Sequence, residues 1–321
     1  MFSYGNKFKI TIYGASHEET MGLIIDGLKA GITINSELIN NDLKKRMPTS
    51  IGTTPRIEKD EFMITNGLFN GITTGGPLHI VVPNENIISK DYSNLYKHPR
   101  PGHADFVAYK KYNGYNDYRG GGFFSGRLTT LLVIAGAIAK QLLPFSFNSK
   151  LIQVGNLKEM DKLDKYLETI KQEGDSVGGI VELRVEKMID GLGDPYFNKL
   201  DAEISKLIIT IPGVRGILFG DNFDVTSLGS INNDLIIDGQ GKTKTNHSGG
   251  INGGISNGND LVFKVYVKPT SSIRIPQKTF NFETKKIENL EIKGRHDTAF
   301  VRRIPIVLEN VTAIVLANFY L

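Results

Sequence analysis

Residues 128–142 read Leu-Thr-Thr-Leu-Leu-Val-Ile-Ala-Gly-Ala-Ile-Ala-Lys-Gln-Leu, and this stretch decides the fold. It is apolar almost all the way round a helical period, so it predicts a buried central helix. It is too short to cross a membrane, and Lys140 and Gln141 interrupt it. Working outward, segments of period two supply sheets to cover such a helix. Phe8, Ile10 and Ile12 alternate with Lys7, Lys9 and Thr11 up to Gly14, as in a half-buried strand. Residues 78–82, closed by Pro83, and residues 180–185 and 261–267 carry the same signal. Between them, Leu157, Met160, Leu163 and Leu167 recur at helical spacing until Gly174. Leu200, Ile204 and Leu207 mark another helix, and Pro305 opens a last one through Leu308, Val311 and Val315.

Two stretches echo each other. Residues 67–75 (GLFNGITTG) and 250–258 (GINGGISNG) both place a Gly-rich turn before an alternating strand. A duplicated unit explains this, as does coincidence in a chain with 35 Gly. No composition shift or flexible linker marks a boundary. The expectation is therefore an α+β fold: a single domain over residues 1–321, with antiparallel sheets packed against central helices.

Composition narrows the function. The 321 residues are 40% hydrophobic and 22% charged, ample for a large core. There is no Cys, which excludes disulfides, a thiolate nucleophile and Cys-ligated metal. The net charge of +4 and pI near 8.9 reflect a slight Lys excess. No basic run is interleaved with aromatics, so nucleic acid is not an expected partner. Residues 1–12 lack a secretory apolar region, and no apolar run is long enough to span a membrane; a cytoplasmic protein is expected.

Four of the six histidines fall in Gly-rich turns beside Ser, Asn, Asp or Arg: His17, His103, His247 and His296. Singly, each reads as a hydrogen-bonded structural residue; together they read as a polar pocket built from loops. His79 lies in an alternating strand and His98 before Pro99, both in structural or exposed settings. Metal ligation is disfavoured, because H-x-x-x-H spacing is missing and the neighbours are Arg and Gly rather than carboxylates. An anion site fits better. Arg119-Gly120-Gly121-Gly122 runs through Ser125-Gly126-Arg127 into the buried helix, which offers backbone N–H groups at the positive end of the helix dipole. The same letters also spell a turn with Ser125 as an ordinary N-cap. Lys268-Pro269-Thr270-Ser271-Ser272 reads either as a plain turn or as a clamp of one cation and several hydroxyls for a phosphate or ribityl group.

Taken in order and spacing, these segments resemble the chorismate synthases over nearly the whole chain. The likeness is carried by GASHEETMGLIIDG (14–27), RPGHAD (100–105), DYRGGGFFSGR (117–127), AGAIAK (135–140), EGDSVG (173–178), NHSGGINGG (246–254), KPTSSI (268–273) and KGRHD (293–297). The resemblance implies elimination of phosphate from 5-enolpyruvylshikimate 3-phosphate, with reduced flavin mononucleotide (FMN) as cofactor, no net redox change and a homotetramer. It makes His17 the acid near the phosphate, His103 the histidine near the flavin and Asp297 the residue assisting removal of the C6 proton. It places Ser125, Asn232, Gly253, Lys268, Pro269, Thr270, Ser271, Ser272 and Arg295 on the flavin. Arg46, Arg127 and Arg302 or Arg303 are its substrate cations. The chain departs from the usual pattern at Ala15, Glu18, Met47, Gly52 and Phe123. Gly52 stands for an Arg linked to a nicotinamide cofactor, so intrinsic flavin reduction is not expected. The alternatives are a flavin-binding homologue without lyase activity and a non-enzymatic binding module.

Overall fold

A computed structural model describes residues 2–48, 51–53, 60–85, 95, 97–292 and 296–321. The first half begins with β1 (Ser3–Tyr4), β2 (Lys9–Gly14) and β3 (Thr20–Asp26), followed by helix α1 (Ser36–Arg46). β4 (Met63–Asn66), the small hairpin β5 (Leu68–Phe69) and β6 (Ile72–Thr73), and β7 (Leu78–Pro83) come next. Helix α2 (Asp105–Lys111) precedes the buried helix α3 (Thr129–Lys140). The second half runs β8 (Ser146–Val154), α4 (Leu163–Glu173), β9 (Gly179–Glu186), α5 (Leu200–Ile208), β10 (Val214–Phe219) and the short α6 (Gly229–Asn232). The hairpin β11 (Ile251–Asn252) and β12 (Ile255–Ser256), then β13 (Leu261–Val267), β14 (Gln277–Asn281), β15 (Lys286–Leu290) and α7 (Ile304–Tyr320) complete it.

The strand orders settle the internal echo. One sheet runs β1-β2-β3-β7-β4 and the other β10-β13-β9-β8, with every pairing antiparallel. Leaving out β1, the sequence β2, β3, β7, β4 maps onto β8, β9, β13, β10. In each half a helix, α1 or α5, follows the second strand. A two-stranded hairpin then precedes the last strand, and a long helix, α3 or α7, ends the unit. The two Gly-rich segments are those equivalent hairpins.

Burial follows the periodicity. In β7 the residues Leu78, Ile80 and Val82 are buried, and in β9 Val181, Leu183 and Val185 are. α3 packs on β3 and α7 on β8 and β9, while α3 and α7 pack on each other, giving sheet, helix, helix, sheet. All of α3 from Thr129 to Ala139 is buried, as its all-round apolar pattern requires. One reading changes at its edge. Leu157 is not helical but bridges to Val154 across a turn at Gly155, whose φ is 56°. Helical backbone starts only at Met160, in a short 3-10 turn ahead of α4.

The two central helices meet at Gly136. A Cβ there would overlap the backbone of Asn310 on α7. Gly136→Ala should therefore destabilise the protein by about 1–3 kcal/mol from overpacking, although Ala is the better helix former by about 1 kcal/mol. Urea unfolding of the variant checks this, and a gain in stability would show that the helices do not approach so closely.

Candidate active site

Loops from both halves enclose a cleft of about 530 Å³, within the usual size range for small-ligand sites. From the first half come His17 after β2, Arg46 at the end of α1, Asp60, Arg100 and residues 102–104, and Gly120 with residues 123–127 before α3. The second half gives Thr210, Pro212 and Gly213 after α5, residues 268–272 after β13, and His296, Asp297, Phe300 and Arg303 before α7. Among the described residues, five permanent cations line it (Arg46, Arg100, Arg127, Arg303 and Lys268) against the two carboxylates Asp60 and Asp297. The lining is built to hold more than one negative charge.

The Gly-rich turn has a role beyond those its letters spelled. Gly120, Gly121 and Gly122 all have positive φ, 56°, 87° and 56°. A Cβ on Gly120 would overlap the His17 ring, and one on Gly121 would lie 3.4 Å from His103 Cε1. The turn seats the two imidazoles, one on each of two successive residues. His17 is buried, with Nδ1 3.0 Å from Ser16 Oγ, and the Ser16 backbone N–H donates to Gly122 O at 3.3 Å. Ser125 accepts from Arg127 N at 3.3 Å, so it is an N-cap that also borders the cleft. Arg119 is taken by Asp117, with Nε and Nη2 donating at 2.8 and 2.9 Å, and does not line the cleft.

The buried cations share one carboxylate. Arg46, 2% exposed, donates from Nη2 to Asp60 Oδ2 at 2.5 Å, and Arg127 donates from Nη1 to Asp60 Oδ1. Burial pulls Arg46 down to about 10 despite Asp60 beside it, which leaves it charged at neutral pH. Burial would raise the Asp60 carboxyl, but Arg46 and Arg127 outweigh it and hold it below its ordinary value. Arg303 donates from Nε to Arg46 O at 3.1 Å and lies 3.8 Å from Asp297. Asn84 joins the cluster to the His17 turn: its amide donates to Ala15 O and Glu18 O at 3.1 and 2.8 Å and accepts from Arg127 Nε at 3.2 Å.

Opposite lies the 268–272 loop. Lys268 Nζ donates to Gly102 O at 2.6 Å and to Ser271 Oγ at 2.8 Å; burial first, then Arg215, lowers its pKa. Thr270 Oγ1 is buried without a hydrogen-bond partner among the described residues, as is Arg46 Nε. Buried donors in this state call for a ligand acceptor. The EGDSVG segment braces the loop from behind: Ser176 Oγ donates to Thr270 O at 2.7 Å and Gly174 O accepts from Arg274 N at 2.9 Å.

The cleft thus brings together His17, His103, Asp297, Ser125, Lys268, Pro269, Thr270, Ser271, Ser272, Arg46, Arg127 and Arg303. Arg302 is turned away, because Asp164 and Ile51 O take its Nη1 at 2.5 and 2.9 Å. Asn232, on the exposed α6, and Gly253, in the β11–β12 turn, do not line it, and Arg295 lies outside the described residues. Sequence reasoning passed over Asp60, Asn84, Arg100 and Asp105. Two of the departures acquire reasons. Gly52 has φ 86° with Leu167 Cδ1 2.7 Å from where a Cβ would stand, so this backbone rejects a larger residue. Phe123 packs edge-on against Phe2 and Tyr112, at 5.6 and 5.4 Å between ring centres.

The fold and cleft define a class: an α+β protein with a loop-built cleft lined mainly by cations and two seated histidines. A profile of the chorismate synthase family matches residues 8–321. The chorismate synthase of Chitinophaga pinensis is 47% identical, over 100% of this chain and 97% of its own length. That of Dehalococcoides mccartyi is 41% identical, over 99% and 96%. That of Methanobrevibacter smithii is also 41% identical, over 98% and 94%. A crystal structure of a chorismate synthase superposes with a TM-score of 0.75 at 23% identity, covering 98% of this chain and 92% of that one. The chain belongs to the chorismate synthase family.

The depressed Asp60 carboxyl has a consequence for stability. A group whose folded pKa lies below its unfolded value stabilises the fold above the unfolded pKa, near 4, and loses that contribution as pH falls through the folded value. Asp60→Asn should cost about 3–5 kcal/mol at neutral pH, since it leaves buried guanidinium groups without a counter-charge. It should also flatten the loss of stability below about pH 4. Denaturant titrations across pH check both, and a variant as stable as the wild type at neutral pH would contradict the pairing.

Proposed function

We propose that this protein is a chorismate synthase, a carbon–oxygen lyase that converts 5-enolpyruvylshikimate 3-phosphate to chorismate and phosphate with reduced FMN bound. The observation that carries the reading is the pair His17 and His103, seated on successive glycines of one turn inside a cleft with an excess of cations. The substrate brings a phosphate and two carboxylates. Arg46, Arg127 and Arg303 receive them, with Asn84 holding Arg127 against the His17 turn. One C–O bond breaks, one C–H bond breaks at C6, and a C=C bond forms; the phosphate leaves with the C–O electron pair. His17, beside the Arg46–Arg127 cluster, gives that phosphate its proton. Asp297, at the rim next to Arg303, assists removal of the C6 proton.

The residues present fit a flavin phosphate and ribityl chain: Thr270 Oγ1 is an orphaned buried donor, and Lys268, Ser271, Ser272 and Ser125 line the same cleft. Arg295, outside the described residues, is assigned to the cofactor by the family resemblance alone. Asn232 and Gly253 carry no part in the proposal, since neither lines the cleft. Reduced FMN, when bound, supplies electron density that weakens the C–O bond and takes it back, so no net oxidation occurs. The chain's part is to hold substrate and cofactor in register and to shed or accept protons at His17, His103 and Asp297. The homotetramer and the cytoplasm belong to this proposal. The exposed Val225, Leu228, Ile231, Leu235, Ile236 and Ile237 support a partner subunit over that segment. No helix among the described residues is long and apolar enough to cross a membrane.

Anaerobic incubation with reduced FMN and the phosphorylated substrate should yield chorismate and phosphate in equal amounts, and oxidised FMN in air should yield none. FMN binding without phosphate release would favour the homologue that lacks lyase activity. His17→Ala should lower kcat by roughly 100- to 10,000-fold with a modest change in KM, the range expected for a lost general acid. His17→Asn keeps a hydrogen bond but cannot supply a proton near neutral pH, and should be equally impaired. An Asn variant with wild-type kcat would remove His17 from the chemistry.

A further inference from the structure

His103 sits in a network that the proposed reaction does not by itself require. Its Nδ1 lies 2.6 Å from Asp105 Oδ1. Asp105, at the first turn of α2, is 5% exposed in its side chain and is engaged by Arg100 as well as His103. Arg100 donates to Oδ2 from its backbone N at 3.1 Å and from Nε at 2.7 Å, and to Oδ1 from Nη2 at 2.8 Å. The remaining Arg100 nitrogen, Nη1, donates to Ser272 Oγ at 3.0 Å. On the other side of His103, Lys268 Nζ and Ser271 Oγ both donate to Gly102 O. The turn that carries His103 is thereby stitched to the 268–272 loop at two points.

We propose that Asp105, locked by Arg100, is a positioning residue that fixes the His103 proton on Nδ1 and presents Nε2 to the cleft as the atom that gains and loses a proton. The role rests on the functional reading above, but the tautomer does not. The Asp105 carboxyl, which burial would raise, is driven well below the ordinary carboxylate range by hydrogen bonds from Arg100 and His103, so it carries no proton. A carboxylate oxygen and a ring nitrogen 2.6 Å apart need a proton between them; it must then sit on Nδ1. Arg100 Nη2, with two N–H groups, lies 2.8 Å from Asp105 Oδ1 and 3.1 Å from Nδ1; its donation to Oδ1 stands, while an Nδ1 that carries the proton shared with Asp105 has no lone pair to accept the second. The far edge of the ring, Cε1 and Nε2, rests over Gly121, and His103 itself lines the cleft. Asp105 and Arg100 thus do for His103 what a buried carboxylate does for the histidine of a catalytic triad. Through Ser272, Arg100 holds that orientation in register with the loop proposed to clamp the cofactor.

Asp105→Asn separates this from a purely structural role. The Asn oxygen is kept at the Oδ2 position by Arg100 N and Nε, so its amide N–H faces Nδ1. The ring must then accept there and move its proton to Nε2. Solid-state ¹⁵N spectra of histidine-labelled protein report the tautomer, with His103 identified by its loss in His103→Gln and the pH set to about 8.5, where an ordinary imidazole is neutral. The expected result is Nδ1–H in the wild type and Nε2–H in Asp105→Asn. With it, kcat should fall roughly 100- to 10,000-fold and KM should change little. An Nε2–H tautomer in the wild type, or a folded Asp105→Asn variant with near-wild-type kcat, overturns the proposal. The wild-type spectrum needs neither turnover nor the variant. It therefore decides the tautomer if Asp105→Asn fails to fold. Should the wild type make no chorismate, the functional reading fails while the tautomer is still measured.

Discussion

Two arginines buried against one aspartate set the terms for the rest of the molecule. Taking a guanidinium out of water costs several kcal/mol even after the protein relaxes. Arg46 is almost wholly buried and Arg127 nearly so, and both turn to Asp60. This ties the end of α1, the segment around Asp60 and the start of α3 into one knot. One carboxylate cannot neutralise two guanidiniums, and Arg303 leans on the same cluster through Arg46 O. The surplus positive charge faces the cleft, where an anionic ligand can complete the neutralisation.

The duplicated fold determines where that surplus is displayed. Helices α3 and α7 back onto each other between the sheets, and equivalent segments of the two halves converge on the cleft. The end of α1 and the segment after it supply Arg46 and Asp60, and the counterpart after α5 supplies Thr210, Pro212 and Gly213. The segment after β7 supplies Arg100, Gly102, His103, Ala104 and the glycine turn, and its counterpart after β13 supplies residues 268–272 with His296, Asp297, Phe300 and Arg303. The halves have diverged in chemistry: the first carries both seated imidazoles, the second the hydroxyl-rich loop. The β2–β3 turn, which bears His17, enters the cleft. The β8–β9 connection, with α4 and EGDSVG, stays behind and braces the loop.

The elements were legible where burial is periodic. The all-round apolar run of α3, the alternation in β2, β7, β9 and β13, and the Pro-initiated α7 all follow from their letters. The paired hairpins were visible as an echo, but only strand order separates duplication from coincidence. The site was legible as Gly-rich turns with histidines, and the family likeness gave those turns their chemistry. What sequence could not give is partnership across the chain. Asp60 lies in the charged run Glu58-Lys59-Asp60-Glu61, which reads as a solvated loop. Asn84 follows a strand as any loop asparagine might. Arg302 and Arg303 are adjacent in sequence, yet the 3-10 turn they share sends one to Asp164 and the other to the cleft. Arg100 and Asp105 stood within a recognised motif, but their pairing depends on the chain folding back over five residues at Gly102.

Recognition of the phosphorylated substrate is proposed to rest on buried cations with surplus charge. Calorimetric titration of 5-enolpyruvylshikimate 3-phosphate into the FMN-loaded protein tests it, with Arg303→Met and Arg302→Met compared with the wild type. Loss of one charge-assisted hydrogen bond in the cleft should weaken binding by roughly 10- to 100-fold in Arg303→Met. Arg302→Met should bind as the wild type does, because Arg302 serves Asp164 and Ile51 instead. Equal affinities in all three, or a loss confined to Arg302→Met, would show that the surplus charge at Arg303 does not recognise the substrate.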